Sequence, residues 1–162
     1  MQRRTMMRMV AGALAGVVLP VRAALPPMRV YKSPSCGCCT EWVKHLRADG
    51  FSVAIEDTGN RAARARLGIP SALGSCHTAE IGGYAIEGHV PAADIRRLLA
   101  ARPKARGLAV PAMPIGSPGM EQGDEREAYD VLLVQADGST KVFASYAAGR
   151  GPQRDAPGGR QR

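Results

Sequence analysis

The chain is poor in aromatic side chains, which make up 4% of its 162 residues. That excludes the stacked-ring platforms that hold single-stranded nucleic acid. Acidic residues are also scarce, 14 against 22 Lys and Arg, yet the resulting +8 is not a basic face. Arg3, Arg4, Arg8 and Arg22 stand at the front, and Arg150, Arg154, Arg160 and Arg162, offset by Asp155, stand at the end. The body between them is near +1 with both signs interspersed, so the clustered basic surface that nucleic acid requires is missing. Long apolar runs are missing too. The run near the front, Met9 to Val21, is too short to span a bilayer.

What is present begins with that front segment. Basic residues from Met1 to Arg8, an apolar stretch and the small-residue ending Val21-Arg22-Ala23 form a secretory signal with cleavage expected after Ala23. Arg3-Arg4-Thr5-Met6-Met7-Arg8 also matches a twin-arginine export signal, and both export routes stay open. The expected compartment is the periplasm, with no stable membrane insertion once the signal is removed. Residues 24–146 then form one domain, and residues 147–162, rich in Gly, Pro and Arg, read as a disordered tail.

The chemistry concentrates in Cys36-Gly37-Cys38-Cys39, between an apparent strand (Met28 to Lys32) and an apparent helix (Thr40 to Ala48). A helix N-terminus favours negative charge, so thiols placed there ionise readily. Thiolates attack disulfides and bind soft metals. Packing as small hydrophobes is the plain alternative. Adjacent Cα atoms lie about 3.8 Å apart, below the usual disulfide span of about 4.4–6.8 Å, so a Cys38–Cys39 bridge is disfavoured. A Cys36–Cys39 bridge and a bridge from one of the three to Cys76 both stay open.

Around this motif the pattern reads as β-α-β-(α)-β-β-α. A second strand (Phe51 to Ile55) follows the helix, which carries Trp42, Val43 and Leu46 on its buried side and stops at Gly50. Asn60 caps a short helix to Leu67. Strands at Ala79 to Ile81 and Tyr84 to Glu87 flank the Gly82-Gly83 turn, and Pro91 opens a helix to Ala101. A Pro/Gly/Met loop (Gly107 to Met120) and a closing hairpin (Tyr129 to Gln135, Thr140 to Phe143) are read as additions. The order is that of a thioredoxin-like α/β core, and Pro70 stands where such folds carry a proline facing the cysteines.

Cys76, in Gly74-Ser75-Cys76-His77, is expected beside the first three thiols. His77 and His89 are candidate neighbours of the cluster, and His45 reads as an exposed helix residue. Met113 and Met120 bracket a loop with no regular face to fill, so their thioethers are either soft ligands or gap fillers. Zinc favours two separated ligand pairs in a tetrahedron. Three thiols in four residues instead suggest thiolates shared among several ions, for which monovalent copper is the natural metal. The competing reading is a periplasmic thiol–disulfide oxidoreductase using Cys36 and Cys39, which Cys38 would obstruct by diverting mixed disulfides.

Four stretches carry a resemblance: Tyr31 to Cys39 with Trp42, Ile69 to Thr78, Gly83 to Ala92, and Gly107 to Glu121. Together they resemble the CopG-like family of bacterial periplasmic copper-resistance proteins, formerly a domain of unknown function. The match runs from about Met28 to Tyr146. The resemblance implies a thioredoxin-like fold with a multinuclear copper cluster and a role in copper redox handling and tolerance. It implies Cys36, Cys38, Cys39 and Cys76 as ligands, with His89, Met113 and Met120 next. The implied partners are copper ions and other periplasmic copper-handling proteins; whether a substrate is turned over is left open.

Overall fold

The structure is a computed structural model that describes residues 24–151. The expected export signal and residues 152–162 of the expected tail lie outside the described residues. The elements are β1 (Met28–Lys32), α1 (Gly37–Ala48), β2 (Val53–Glu56), α2 (Arg61–Arg66), a 3-10 turn (Ser71–Leu73), β3 (His77–Ile81), β4 (Tyr84–Glu87), α3 (Ala92–Ala101), β5 (Ala105–Ala109), β6 (Glu125–Arg126), β7 (Tyr129–Gln135), β8 (Thr140–Tyr146) and β9 (Gly149–Arg150). Seven strands form one sheet in the order β2-β1-β3-β4-β5-β7-β8, and β6 pairs with β9 in a separate ribbon. β1 runs parallel to β2 and antiparallel to β3, and β4 runs parallel to β5. The fold is mixed α/β, and the expected β-α-β-(α)-β-β-α order is present from β1 to α3.

Side-chain alternation divides the core between the two faces of this sheet. Ile86 and Leu108 join the larger cluster, which takes Trp42, Val43 and Leu46 from α1 and Ile95 and Leu98 from α3. Their neighbours Ala85 and Ala109 point the other way and pack with Ile69 and Val134. Each large aliphatic side chain withdrawn from water in this way is worth about 1.5–3 kcal/mol. Trp42 is fully buried without an unpaired group, because its indole N–H donates to the Val90 carbonyl at 2.9 Å.

Several local expectations are revised. Helix α1 begins at Gly37, so Cys38 and Cys39 are helical residues and Cys36 is the N-cap. Ala105–Ala109, of which Gly107 onward reads as loop in the sequence, is a strand hydrogen-bonded between β4 and β7. A Cβ on Gly107 would strike the Ala85 backbone, so glycine permits this close strand approach. Through β5 the added β7–β8 hairpin joins the main sheet. β9 carries regular structure past Tyr146, the expected domain end. Pro70 opens the Ser71–Leu73 turn and lies beside Gly138; the residue that enters β3 from the site is Cys76. His45 is half-buried, and its Nε2 accepts the Ala92 N–H at 3.1 Å, which satisfies a donor at the start of α3.

Candidate metal centre

The turn after β1 delivers the first three cysteines. The Cys36 N–H donates to the Ser33 carbonyl at 3.1 Å, and both the Thr40 N–H and hydroxyl return to the Cys36 carbonyl. Cys36 and Cys39, one helical turn apart with Cα atoms 5.4 Å from each other, form a disulfide. Cys38 and Cys76 are free thiols. Cys38 Sγ lies 3.6 Å from Cys36 Sγ and 3.7 Å from Cys76 Sγ. All four sulfurs fall within 4.8 Å of one another. A metal with bonds to sulfur of about 2.3 Å can join two sulfurs up to about 4.6 Å apart, a limit that the Cys36–Cys38 and Cys38–Cys76 pairs meet at 3.6 and 3.7 Å.

Cys76 stands immediately before β3, where its sulfur meets two imidazoles. His77 Nδ1 is 3.3 Å away and His89 Nε2 is 3.2 Å away. His89 Nδ1 donates to the Pro118 carbonyl at 2.8 Å, which turns Nε2 toward the thiol. His77 packs on Trp42, with ring centroids 4.2 Å apart, and meets His89 edge-on at 4.9 Å. His77 and His89 are fully buried. His77 Nε2 is a buried atom without a hydrogen-bond partner.

Burial governs the electrostatics. It pushes the Cys76 thiol up to about 12, with neighbouring Cys38 adding to the effect. It also lowers His77 well below the ordinary histidine value, with His89 contributing, and lowers His89 against the opposing pull of the Pro118 carbonyl and Glu121. Neutral imidazoles facing a protonated thiol are the result at neutral pH. Metal binding would displace the Cys76 proton, since the thiolate is the ligand.

The Met-bearing loop closes over this cluster and is held at both ends. Near Met113, the Ala112 N–H donates to the Gly74 carbonyl at 3.2 Å, and Ser75 Oγ donates to the Ala112 carbonyl at 2.5 Å. Near Met120, Gly119 lies so close to α1 that a Cβ there would sit 2.6 Å from Trp42 N and 2.8 Å from the Cys38 carbonyl. Met113 is 47% exposed, so it does not serve as a core gap filler. Met120 is half-buried. The folded chain thus gathers Cys36, Cys38, Cys39, Cys76 and His89, and it anchors Met113 and Met120 on the loop that borders them. Behind the loop a cavity of about 440 Å³ is lined by His45, Pro118, Glu121 and Tyr146, with no cysteine in its wall.

Residues that support Cys76 are not evident from the motifs. Glu87 is completely buried at the end of β4. Its Oε1 accepts the Ser75 N–H at 2.7 Å and Arg64 Nε at 2.8 Å, and its Oε2 accepts the Thr78 hydroxyl at 2.5 Å. Arg64 and Asn60 also donate to the Ser75 carbonyl, at 2.5 and 3.1 Å. The available signal was a carboxylate ending the apolar run Tyr84-Ala85-Ile86, a position whose charge had to be paired if the strand was buried.

Fold and site together define a small α/β protein with soft sulfur and imidazole donors gathered at its first strand–helix junction. A family profile described as "Protein of unknown function, DUF411" matches residues 73–120. No curated protein matches the chain. Two solved structures named copper resistance protein CopG, forms 1 and 2, are similar to it at 46% and 47% identity. They cover 76% and 75% of this chain and 98% of their own, with TM-scores of 0.72 and 0.70. The chain belongs to the CopG copper-resistance family.

Proposed function

We propose that this is an exported copper-binding protein of copper tolerance. In this reading Cys36, Cys38, Cys39 and Cys76 hold several monovalent copper ions as bridging thiolates, with His89, Met113 and Met120 as neutral ligands. The observation that carries it is the convergence of four sulfurs within 4.8 Å, with a buried imidazole nitrogen 3.2 Å from Cys76. Soft donors of this kind select monovalent copper over hard cations. The kinship with copper resistance proteins points the same way.

The disulfide sets a condition on this reading. Cys36 and Cys39 serve as thiolates only after two electrons reach their S–S bond; the bond breaks and two thiols form once two protons are taken up. A periplasmic dithiol could supply both. A bound copper ion that changes oxidation state, and exchange with other periplasmic copper-handling proteins, belong to the same reading. Among the described residues no helix is long and apolar enough to cross a membrane.

Elemental analysis of the reduced, copper-saturated protein tests the proposal. More than one copper per chain is expected; stoichiometric zinc without excess copper uptake would overturn it. The Cys36–Cys39 disulfide at a helix N-terminus favours one competing reading, a thiol–disulfide oxidoreductase. Against it, Cys38 Sγ lies 3.6 Å from Cys36 Sγ, placed to attack any mixed disulfide formed there. Insulin reduction that survives both Cys38→Ser and copper chelation would favour that alternative.

A further inference from the structure

We propose that Glu87 is a positioning residue for Cys76, holding its sulfur at the histidine and the other thiols. The geometry on which this stands does not involve copper; its use in metal holding rests on the reading above. The Glu87 carboxylate binds both sides of Cys76 in sequence, through the Ser75 N–H and the Thr78 hydroxyl. Arg64, paired to the same carboxylate at 2.8 Å, reaches past it to the Ser75 carbonyl. Asn60 Nδ2 donates to that carbonyl at 3.1 Å and to Thr78 Oγ1 at 3.3 Å. The Ser75 N–H is therefore tied to the β4 end, and its C=O to side chains at the start of α2 and within it.

A buried ion pair is a poor device for stability, because desolvation of the two charges consumes most of their attraction. What Glu87 and Arg64 provide is direction. The short segment from Gly74 to Cys76 lies outside the strands; backbone bonds with Ser71 and Ala112 hold Gly74, and side-chain hydrogen bonds hold the Ser75 peptide. Glu87 stands two residues before His89. One strand end therefore places the carboxylate under the Cys76 loop and the imidazole against the Cys76 sulfur, and the separation of 3.2 Å follows from both.

The test uses the full chain with its Cys36–Cys39 disulfide intact, so that Cys38 and Cys76 are the free thiols. Labelling by iodoacetamide is followed by peptide mass spectrometry, and the readout is the rate at Cys76 relative to Cys38. Loss of a charge-assisted hydrogen bond should release the loop and raise this ratio about tenfold in Glu87→Gln. Asp94→Asn is the control for stability alone. Asp94 is another buried carboxylate, bonded to the Tyr146 hydroxyl at 2.7 Å and to Arg97 at 3.0 Å, and its variant should leave the ratio unchanged.

Should Glu87→Gln fail to fold, Thr78→Val removes the hydroxyl's bonds with Glu87 and Asn60 and keeps the Arg64–Glu87 ion pair; it should raise the ratio while Thr78→Ser restores the parent value. An unchanged ratio in Thr78→Val and in folded Glu87→Gln, or an equal rise in Asp94→Asn, would overturn the proposal. Titration of reduced protein with Cu(I) against a chelator separates the two readings. A moved labelling ratio in a protein that takes up no copper supports the positioning role and removes the copper function.

Discussion

Cys38 and Cys76, separated by 38 positions in the chain, meet with their sulfurs 3.7 Å apart. Neither is consumed by the disulfide, so this contact ties the α1 turn to the β3 entry and makes the four sulfurs one group. If thiolates are shared among ions, loss of Cys38 removes a bridge. Cys38→Ser should then reduce the bound copper by more than one ion per chain, whereas Met113→Ala, which removes a neutral thioether, should cost at most one. Elemental analysis of each purified variant decides, and a full copper load in Cys38→Ser would sink the polynuclear reading.

Copper capacity should depend on the redox state of the chain. With Cys36 and Cys39 joined, two of four sulfurs are withdrawn from thiolate ligation. Protein kept oxidised should bind fewer copper ions than the same sample reduced by a dithiol, and reduction should restore the difference. Equal loads in both states would show that Cys36 and Cys39 are not ligands.

Gly119 has φ +85° and lies against the Trp42 and Cys38 backbone. Gly119→Ala adds left-handed strain, of order 1–3 kcal/mol, and a methyl group where backbone already stands. The loop should lift from α1 and weaken the Pro118 hold on His89. A fall in thermal midpoint together with weaker Cu(I) retention against a chelator is expected. An unchanged value for either would mean that the loop does not position the site.

The copper-free chain should lose stability on mild acidification. His77 and His89 are held below the ordinary value of 6.5 by burial, so below that pH the unfolded chain binds protons that the folded chain does not. Stability therefore rises with pH across this window: their contribution is fully present above pH 6.5 and is lost as pH falls through the folded values. Urea midpoints should drop between pH 7 and pH 5, and His77→Gln should flatten the slope. A midpoint independent of pH in the parent chain would contradict burial of the two neutral rings. Glu87 works in the opposite sense. Its pKa is raised from 4.5 by burial, so its contribution is fully present below that value and is lost as pH rises through the folded one.

The local code was enough for the elements from β1 to α3, because each has its own period and stop: Met28 and Val30 alternate inward, Trp42, Val43 and Leu46 share a helix face, and Gly82-Gly83 supplies two positive φ angles for a tight turn. It was also enough to name the four cysteines and His89 as candidates, since their side-chain chemistry is unusual wherever it stands. β5 was not legible. Ala105-Arg106-Gly107 has no alternating pattern, and it becomes a strand because β4 and β7 offer hydrogen bonds on both sides. The same holds for the support of Cys76. Asn60, Arg64, Thr78 and Glu87 are ordinary polar residues at scattered positions, and only the folded chain brings them to the Ser75 peptide. Residue type and spacing thus determined which atoms could do chemistry, whereas the partners that fix those atoms depended on long-range contacts, because a buried hydrogen bond is satisfied in space and carries no period along the chain.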